Sequence, residues 1–151
     1  MEEQIKQAVR NLRIQYLLFW ILPVLLVTCY ELNLFAIGCF ADDPQQQYIW
    51  ETLGVLLSII CIPSSLKLFN TILKNKIDTV AFPVALKKYV LWCVIRLSIL
   101  EVAVLFNIIV YYSTLNNIGG FCALIGLIAS AFCLPGEKRL RQELRISKES
   151  N

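Results

Sequence analysis

The chain has 151 residues, of which 58% are hydrophobic and 17% are charged, with a mean hydropathy of +0.65 and a formal net charge of +3. A soluble domain of this length is closer to half apolar and a quarter charged. Because the apolar residues also form long blocks, the composition excludes an ordinary soluble domain and predicts an integral membrane protein. Short connections between the blocks leave no room for a second domain, so residues 1–151 are predicted to form one unit.

The first 13 residues predict an amphipathic helix at the membrane surface. Ile5, Val9 and Leu12 recur at helical spacing. The basic residues lie elsewhere on that helix: Lys6, Arg10 and Arg13. A first span is predicted over residues 14–37, with an end that lies at Tyr30 at the earliest and at Ile37 at the latest. Pro23 in its middle removes one helix hydrogen bond and favours a kink.

Three further spans are predicted, over residues 48–68, 89–112 and 119–134. A polar loop at Ala41–Gln47 precedes the second span, and an uncharged loop at Ser113–Gly120 precedes the fourth. Pro83 suits the first turn of the helix that holds the third span, with caps offered by Asp78 and Thr79. The fold class is therefore an all-α, four-helix transmembrane bundle with short loops, an amphipathic N-terminal helix and a basic C-terminal tail.

Lys and Arg are distributed asymmetrically among the connections. They precede the first span, fill the connection between the second and third, and follow the fourth, whereas the other two loops contain none. The positive-inside rule then predicts that both termini are cytoplasmic, in a bacterial inner (plasma) membrane. In the tail, Leu140 and Leu144 are spaced i, i+4, which predicts a short surface helix on anionic headgroups. The basic residues of the tail are Lys138, Arg139, Arg141, Arg145 and Lys148.

The third span carries Arg96, Glu101 and Asn107 in an otherwise apolar run. Ionisable residues at such depth suggest a functional site. At 100° per residue, Arg96 and Asn107 share one face, whereas Glu101 lies about 140° from Arg96. Depth alone places Ser58 of the second span near Glu101, so a hydrogen bond between them is predicted. In one interpretation Arg96 snorkels toward the cytoplasmic headgroups and Glu101 is neutral or hydrogen-bonded to a neighbouring helix. In the other, Glu101 lines a path for an ion, a proton or a substrate.

Small residues form a stripe along the fourth span: Gly119, Ala123, Gly126 and Ser130. Such stripes let helix backbones approach closely. The stripe predicts either packing inside the chain or formation of a homo-oligomer, and the sequence does not distinguish the two.

Catalytic signatures are absent from the sequence. The chain has no histidine, P-loop, dinucleotide-binding glycine motif or nucleophile elbow, and no basic-aromatic pattern that suggests nucleic acid. The six cysteines show no CxxC spacing, although Cys39 and Cys122 both fall toward the outer side and are candidates for a disulfide. No enzyme activity, cofactor or metal is predicted. The leading hypothesis is a non-enzymatic accessory or assembly component of the membrane; the alternative is a small transporter or channel subunit that uses Arg96, Glu101 and Asn107.

Overall fold

The computed structural model describes residues 2–72, 75 and 81–143, and these residues form helices and connections without any strand. The helices in chain order are α1 (Glu2–Glu31), α2 (Pro44–Ile72), α3 (Phe82–Thr114), α4 (Asn117–Ala131) and α5 (Glu137–Glu143). Helices α1, α2 and α3 are each long and apolar enough to cross a membrane, whereas α4 is a shorter apolar helix.

Helix α3 is the centre of the fold, because α1, α2 and α4 all pack against it. Ile5 and Tyr16 of α1 pack in clusters with Leu86 and Leu97 of α3 respectively, so α1 and α3 run parallel. Phe69, near the end of α2, meets Tyr89, near the start of α3, so α2 runs antiparallel to α3. Helix α4 is also antiparallel to α3. Helices α1 to α4 therefore alternate in direction, and the start of α1 and the end of α4 lie at one end of the bundle.

That end of the bundle has its own apolar core, which we call the terminal layer. It joins the starts of α1 and α3, the end of α2, and α5. Its buried residues are Ile5, Ala8, Val9, Leu12, Phe69, Ala85, Leu86, Tyr89, Cys93 and Leu140. The terminal layer explains why α1 and α3 are long: their first turns pack against each other, and α5 adds Leu140, which is 1% exposed.

Helix α1 ends at Glu31, next to the shorter of the two limits predicted for the first span and well before residue 37. Asn33 has φ of 56° and Gly38 has φ of 71°, values that interrupt a right-handed helix. The chain then folds back onto the end of α3, where the Gly38 N–H donates to the Tyr112 carbonyl at 2.8 Å. The Phe40 N–H donates to the Ser113 carbonyl at 3.0 Å. This connection therefore satisfies carbonyls that the helix end leaves free.

Helix α2 begins earlier than the sequence predicts, and the connection between α3 and α4 is shorter than predicted. Helix α2 begins at Pro44, and the Asp43 carboxylate caps it by accepting from the N–H of Gln45 at 3.1 Å. Between α3 and α4 only residues 115 and 116 are non-helical, and Leu115 turns the chain with φ of 54°. Pro83 does lie in the first turn of α3. The predicted caps Asp78 and Thr79 are outside the described residues.

The predicted tail helix is present as α5, but it packs against protein. Leu140 enters the terminal layer, and the Arg141 guanidinium lies 2.6 Å from Oε2 of Glu2 and 2.8 Å from Oε1 of Glu137. These contacts attach α5 to the start of α1 and to the terminal layer. Leu144, Arg145 and Lys148 are outside the described residues.

Candidate functional site

Asn107 is a polar group in the interior of the bundle, where its amide nitrogen is hydrogen-bonded and its amide oxygen has no partner. Its side chain is 1% exposed and faces α2. Its Nδ2 donates toward Ser58 Oγ at 2.9 Å, the Ala103 carbonyl at 2.8 Å and the Gly54 carbonyl at 3.3 Å. A Cβ on Gly54 would lie 2.6 Å from Asn107 Oδ1, so this approach requires glycine. Asn107 therefore joins α2 to α3.

Arg96 also faces α2, on the side of α3 that it shares with Asn107 as the helical spacing predicts. It lies nearer to the terminal layer than Asn107 does. Its guanidinium carbon lies 4.0 Å from the centroid of the Phe69 ring, a cation–π contact. The side chain extends toward the end of the bundle that holds the termini, yet it is 5% exposed and stays inside the protein. Arg96 and Glu101 make no ion pair among the described residues, in agreement with their angular separation.

Glu101 lies on a different side of α3, at a groove between α3 and α1. The groove encloses about 170 Å³ and is lined by Gln15, Leu18, Phe19, Leu22, Val94, Leu97, Ser98 and Glu101. Glu101 is half-buried, and its Oε1 atom is enclosed without a hydrogen-bond partner. Oε1 of Gln15 is enclosed and unpaired in the same way. Two unsatisfied oxygens in one apolar groove are costly unless a donor reaches them.

The predicted hydrogen bond between Ser58 and Glu101 is wrong. Ser58 lies at a suitable depth, but it faces Asn107, to which it is bonded. Glu101 precedes Asn107 by six residues, which turns it by about 120° around the helix axis. Depth alone therefore indicated α2 as the neighbour of Glu101, whereas the side chain faces the groove with α1.

Gln15 and Ser98 were missed by the reading of the sequence. A signal was present in α1, where amides recur every three or four residues along one face: Gln4, Gln7, Asn11 and Gln15. A polar row of this kind indicates that the side of α1 that carries it does not face lipid chains over the first half of the helix.

The small-residue stripe of α4 lies against α3. Gly119, Ala123, Gly126 and Ser130 are all buried. A Cβ on Gly119 would lie 2.7 Å from the Asn107 carbonyl oxygen and 2.7 Å from the Tyr111 nitrogen. A Cβ on Gly126 would lie 2.6 Å from Val104 Cγ2. Within the chain, the stripe therefore serves the contact between α3 and α4.

Two acids at the opposite end of the bundle are paired within the chain. Glu31 Oε1 accepts from the Tyr112 hydroxyl at 2.8 Å, and Tyr112 also stacks on Tyr30 with ring centroids 4.5 Å apart. Glu51 Oε1 accepts from Asn116 Nδ2 at 2.8 Å. These bonds fix the ends of α1 and α2 to the turn between α3 and α4.

The six cysteines are free, so Cys39 and Cys122 form no disulfide. Among residues 2–72, 75 and 81–143, no three His, Cys, Asp or Glu side chains converge in a way that suits a metal ion. No protein-family model, curated protein or solved structure matches the chain. The candidate site therefore rests on geometry alone, and it consists of the groove that holds Gln15, Ser98 and Glu101.

Proposed function

We propose that this chain is a four-span membrane protein with both termini in the cytoplasm, and that it acts as a non-enzymatic assembly or accessory component. Large apolar side chains are exposed on each of the helices α1 to α4, for example Leu25, Ile59, Val102 and Ile128. Water does not tolerate an apolar surface of this extent, whereas lipid chains do. Helix α4 has 15 residues, or about 22 Å, and a tilted or thinned bilayer accommodates that length.

The position of Glu101 supports a binding role over a transport role. A path across the membrane needs its polar groups along one passage, but Arg96 and Asn107 face α2 whereas Glu101 faces α1. Asn107 is occupied by interhelical hydrogen bonds. Glu101 is instead an unpaired polar group on an open side of the bundle, where a second protein has access to it.

A photo-crosslinking experiment in native membranes tests this proposal. A benzophenone amino acid replaces Ser98, which is exposed at the groove, and in a separate protein it replaces Ile128, which is exposed on α4. We expect a discrete adduct with one membrane protein from position 98 and lipid adducts alone from position 128. Lipid adducts alone from both positions would contradict the proposed function. A protein adduct from position 128 alone would keep the function and move the contact to α4.

A further inference from the structure

The groove at Glu101 is one part of a longer seam between α1 and α3. A second groove of about 410 Å³ lies between the same two helices, nearer the termini. It is lined by Gln4, Gln7, Ala8, Asn11, Pro83, Leu86, Lys87 and Val90. Because α1 and α3 run parallel, the two grooves follow each other along one line. From Gln4 to Leu22 the seam is about 27 Å long.

The lining residues of the seam are spaced like those of a groove in which two helices pack against a third. On α1 they include positions 4, 7, 11, 15, 18 and 22, and on α3 positions 83, 87, 90, 94, 98 and 101. Both rows advance by three or four residues per step, which is the spacing that two helices present to a third in a left-handed bundle. The length of the seam equals about five turns of helix. An acyl chain matches this length but offers no donor to the polar groups in the seam.

The polar groups of the seam lie at two depths. Near the termini, three amides and Lys87 line the groove, where water and headgroups are present. Deeper, in the apolar part of the helices, Gln15 and Glu101 hold unpaired oxygens. The terminal torsion of a Glu side chain is broad and roughly two-fold, so either carboxyl oxygen can turn toward the groove. A hydrogen-bond donor at that depth would satisfy a group that the isolated chain leaves unpaired.

We propose that the seam between α1 and α3 binds a transmembrane helix of a partner protein that carries a hydrogen-bond donor at the depth of Glu101. This inference rests on the proposed function and adds the place and the chemistry of the contact. Suitable donors are the side chains of Asn, Gln, Ser, Thr, Lys and Arg. The partner helix extends beyond the membrane alongside Gln4, Gln7 and Lys87, so its cytoplasmic end is polar.

A defined peptide probe tests the inference. The full chain is reconstituted in vesicles of phosphatidylcholine and phosphatidylglycerol, and dansyl-labelled, Trp-free Leu/Ala peptides with Lys at both ends are added. One peptide has Gln at its centre and the other has Leu. Energy transfer from Trp20, Trp50 and Trp92 reports association. We expect the Gln peptide to bind about threefold to thirtyfold more tightly than the Leu peptide.

Three variants separate the possible outcomes. Glu101→Leu should remove the preference for the Gln peptide, Glu101→Gln should keep most of it, and Glu51→Leu should leave it unchanged because Glu51 already pairs with Asn116. Equal binding of both peptides to the wild-type chain would overturn the inference, while the crosslinking result would still decide the proposed function. Self-association of the wild-type chain that Glu101→Leu abolishes would also overturn it, since the seam would then hold a second copy.

Discussion

Asn107 and Glu101 are polar groups in the apolar part of the same helix, and they differ in what surrounds them. Asn107 lies between α2 and α3 with its amide nitrogen near three acceptors, although its Oδ1 atom is enclosed without a partner. Glu101 faces the seam, with one carboxyl oxygen enclosed and unpaired. The first arrangement stabilises the isolated chain, whereas the second leaves a cost that a binding partner relieves.

Leucine substitutions at these two positions should therefore have different effects on the free energy of unfolding. Asn107→Leu removes interhelical hydrogen bonds and should lower the free energy of unfolding by about 0.6–2 kcal/mol. Glu101→Leu removes an unpaired polar group and should leave that free energy unchanged or raise it. Unfolding by SDS in mixed micelles, followed by circular dichroism, measures both. If Glu101→Leu proved as costly as Asn107→Leu, Glu101 would have a partner inside the chain.

The sequence predicted correctly which residues share one side of a single helix. It did not predict which residues of two different helices face each other. Helical spacing alone placed Arg96 and Asn107 on one side of α3 and Glu101 on another. The choice of Ser58 as the partner of Glu101 required the rotation of α2 against α3, and depth carries no information on rotation. Packing around Gly54 sets that rotation, because Asn107 approaches it more closely than any side chain there would allow.

At the scale of whole helices, the contact between α3 and α4 depends on two glycines that differ in what they touch. Gly119→Ala places a methyl group against the backbone of α3, so no side-chain change can relieve it. Gly126→Ala meets only the Val104 side chain. We expect both single substitutions to destabilise the chain by about 1–3 kcal/mol.

A double substitution distinguishes the two glycines. Val104→Ala should recover part of the stability lost in Gly126→Ala, because it removes the methyl group that the new Cβ meets. The same Val104→Ala change should not rescue Gly119→Ala. Both pairs are measured by SDS unfolding as double-mutant cycles. Equal rescue of the two glycine variants would show that the close approach of α4 to α3 differs from the one described.

The attachment of α5 to α1 should depend on pH. The hydrogen bond from Arg141 holds the pKa of the exposed Glu2 carboxyl below its ordinary value of 4.5. A carboxyl whose pKa is lowered on folding stabilises the folded state above its unfolded pKa, and this contribution is lost as the pH falls through the folded pKa. The protection factors of the amides in residues 137–143, which are corrected for the intrinsic pH dependence of exchange, should therefore be higher at pH 7 than below about pH 4.

The matched control for this pH effect is Glu2→Gln. That variant should show low protection factors in α5 already at pH 7, and lowering the pH should reduce them less than it does in the wild-type chain, since the contact between Arg141 and Glu137 remains. Identical pH dependence in the two proteins would mean that Leu140 holds α5 without help from the ion pair.

Helix boundaries illustrate where local sequence is informative. Pro83 marked the start of α3 correctly, because proline fits the first helical turn. The sequence leaves the end of α1 open between Tyr30 and Ile37, because Leu34, Phe35 and Ile37 look like the continuation of a span. The structure uses these residues in a connection whose N–H groups bind the end of α3, and such long-range hydrogen bonds leave no local pattern.

For the molecule as a whole, the alternating helices and the terminal layer make the two ends of the bundle different. At one end of the bundle, the starts of α1 and α3 pack in the terminal layer together with α5. At the other end, the connections are compact and hold acids paired to Tyr112 and Asn116. The molecule is therefore asymmetric, with a packed extension on one side and tight turns on the other.

The orientation of this asymmetric molecule is the last prediction. Lys and Arg precede the first span, follow the fourth and lie between α2 and α3, and the connections at the other end contain none. The positive-inside rule then puts the terminal layer in the cytoplasm. Alkaline phosphatase fused after Asn117 should be active, and the same enzyme fused after Asn75 should be inactive, with green fluorescent protein at both sites giving the reciprocal result. Equal signals at the two sites would mean that α3 does not cross the membrane, and reversed signals would place the terminal layer and the open end of the seam outside the cell.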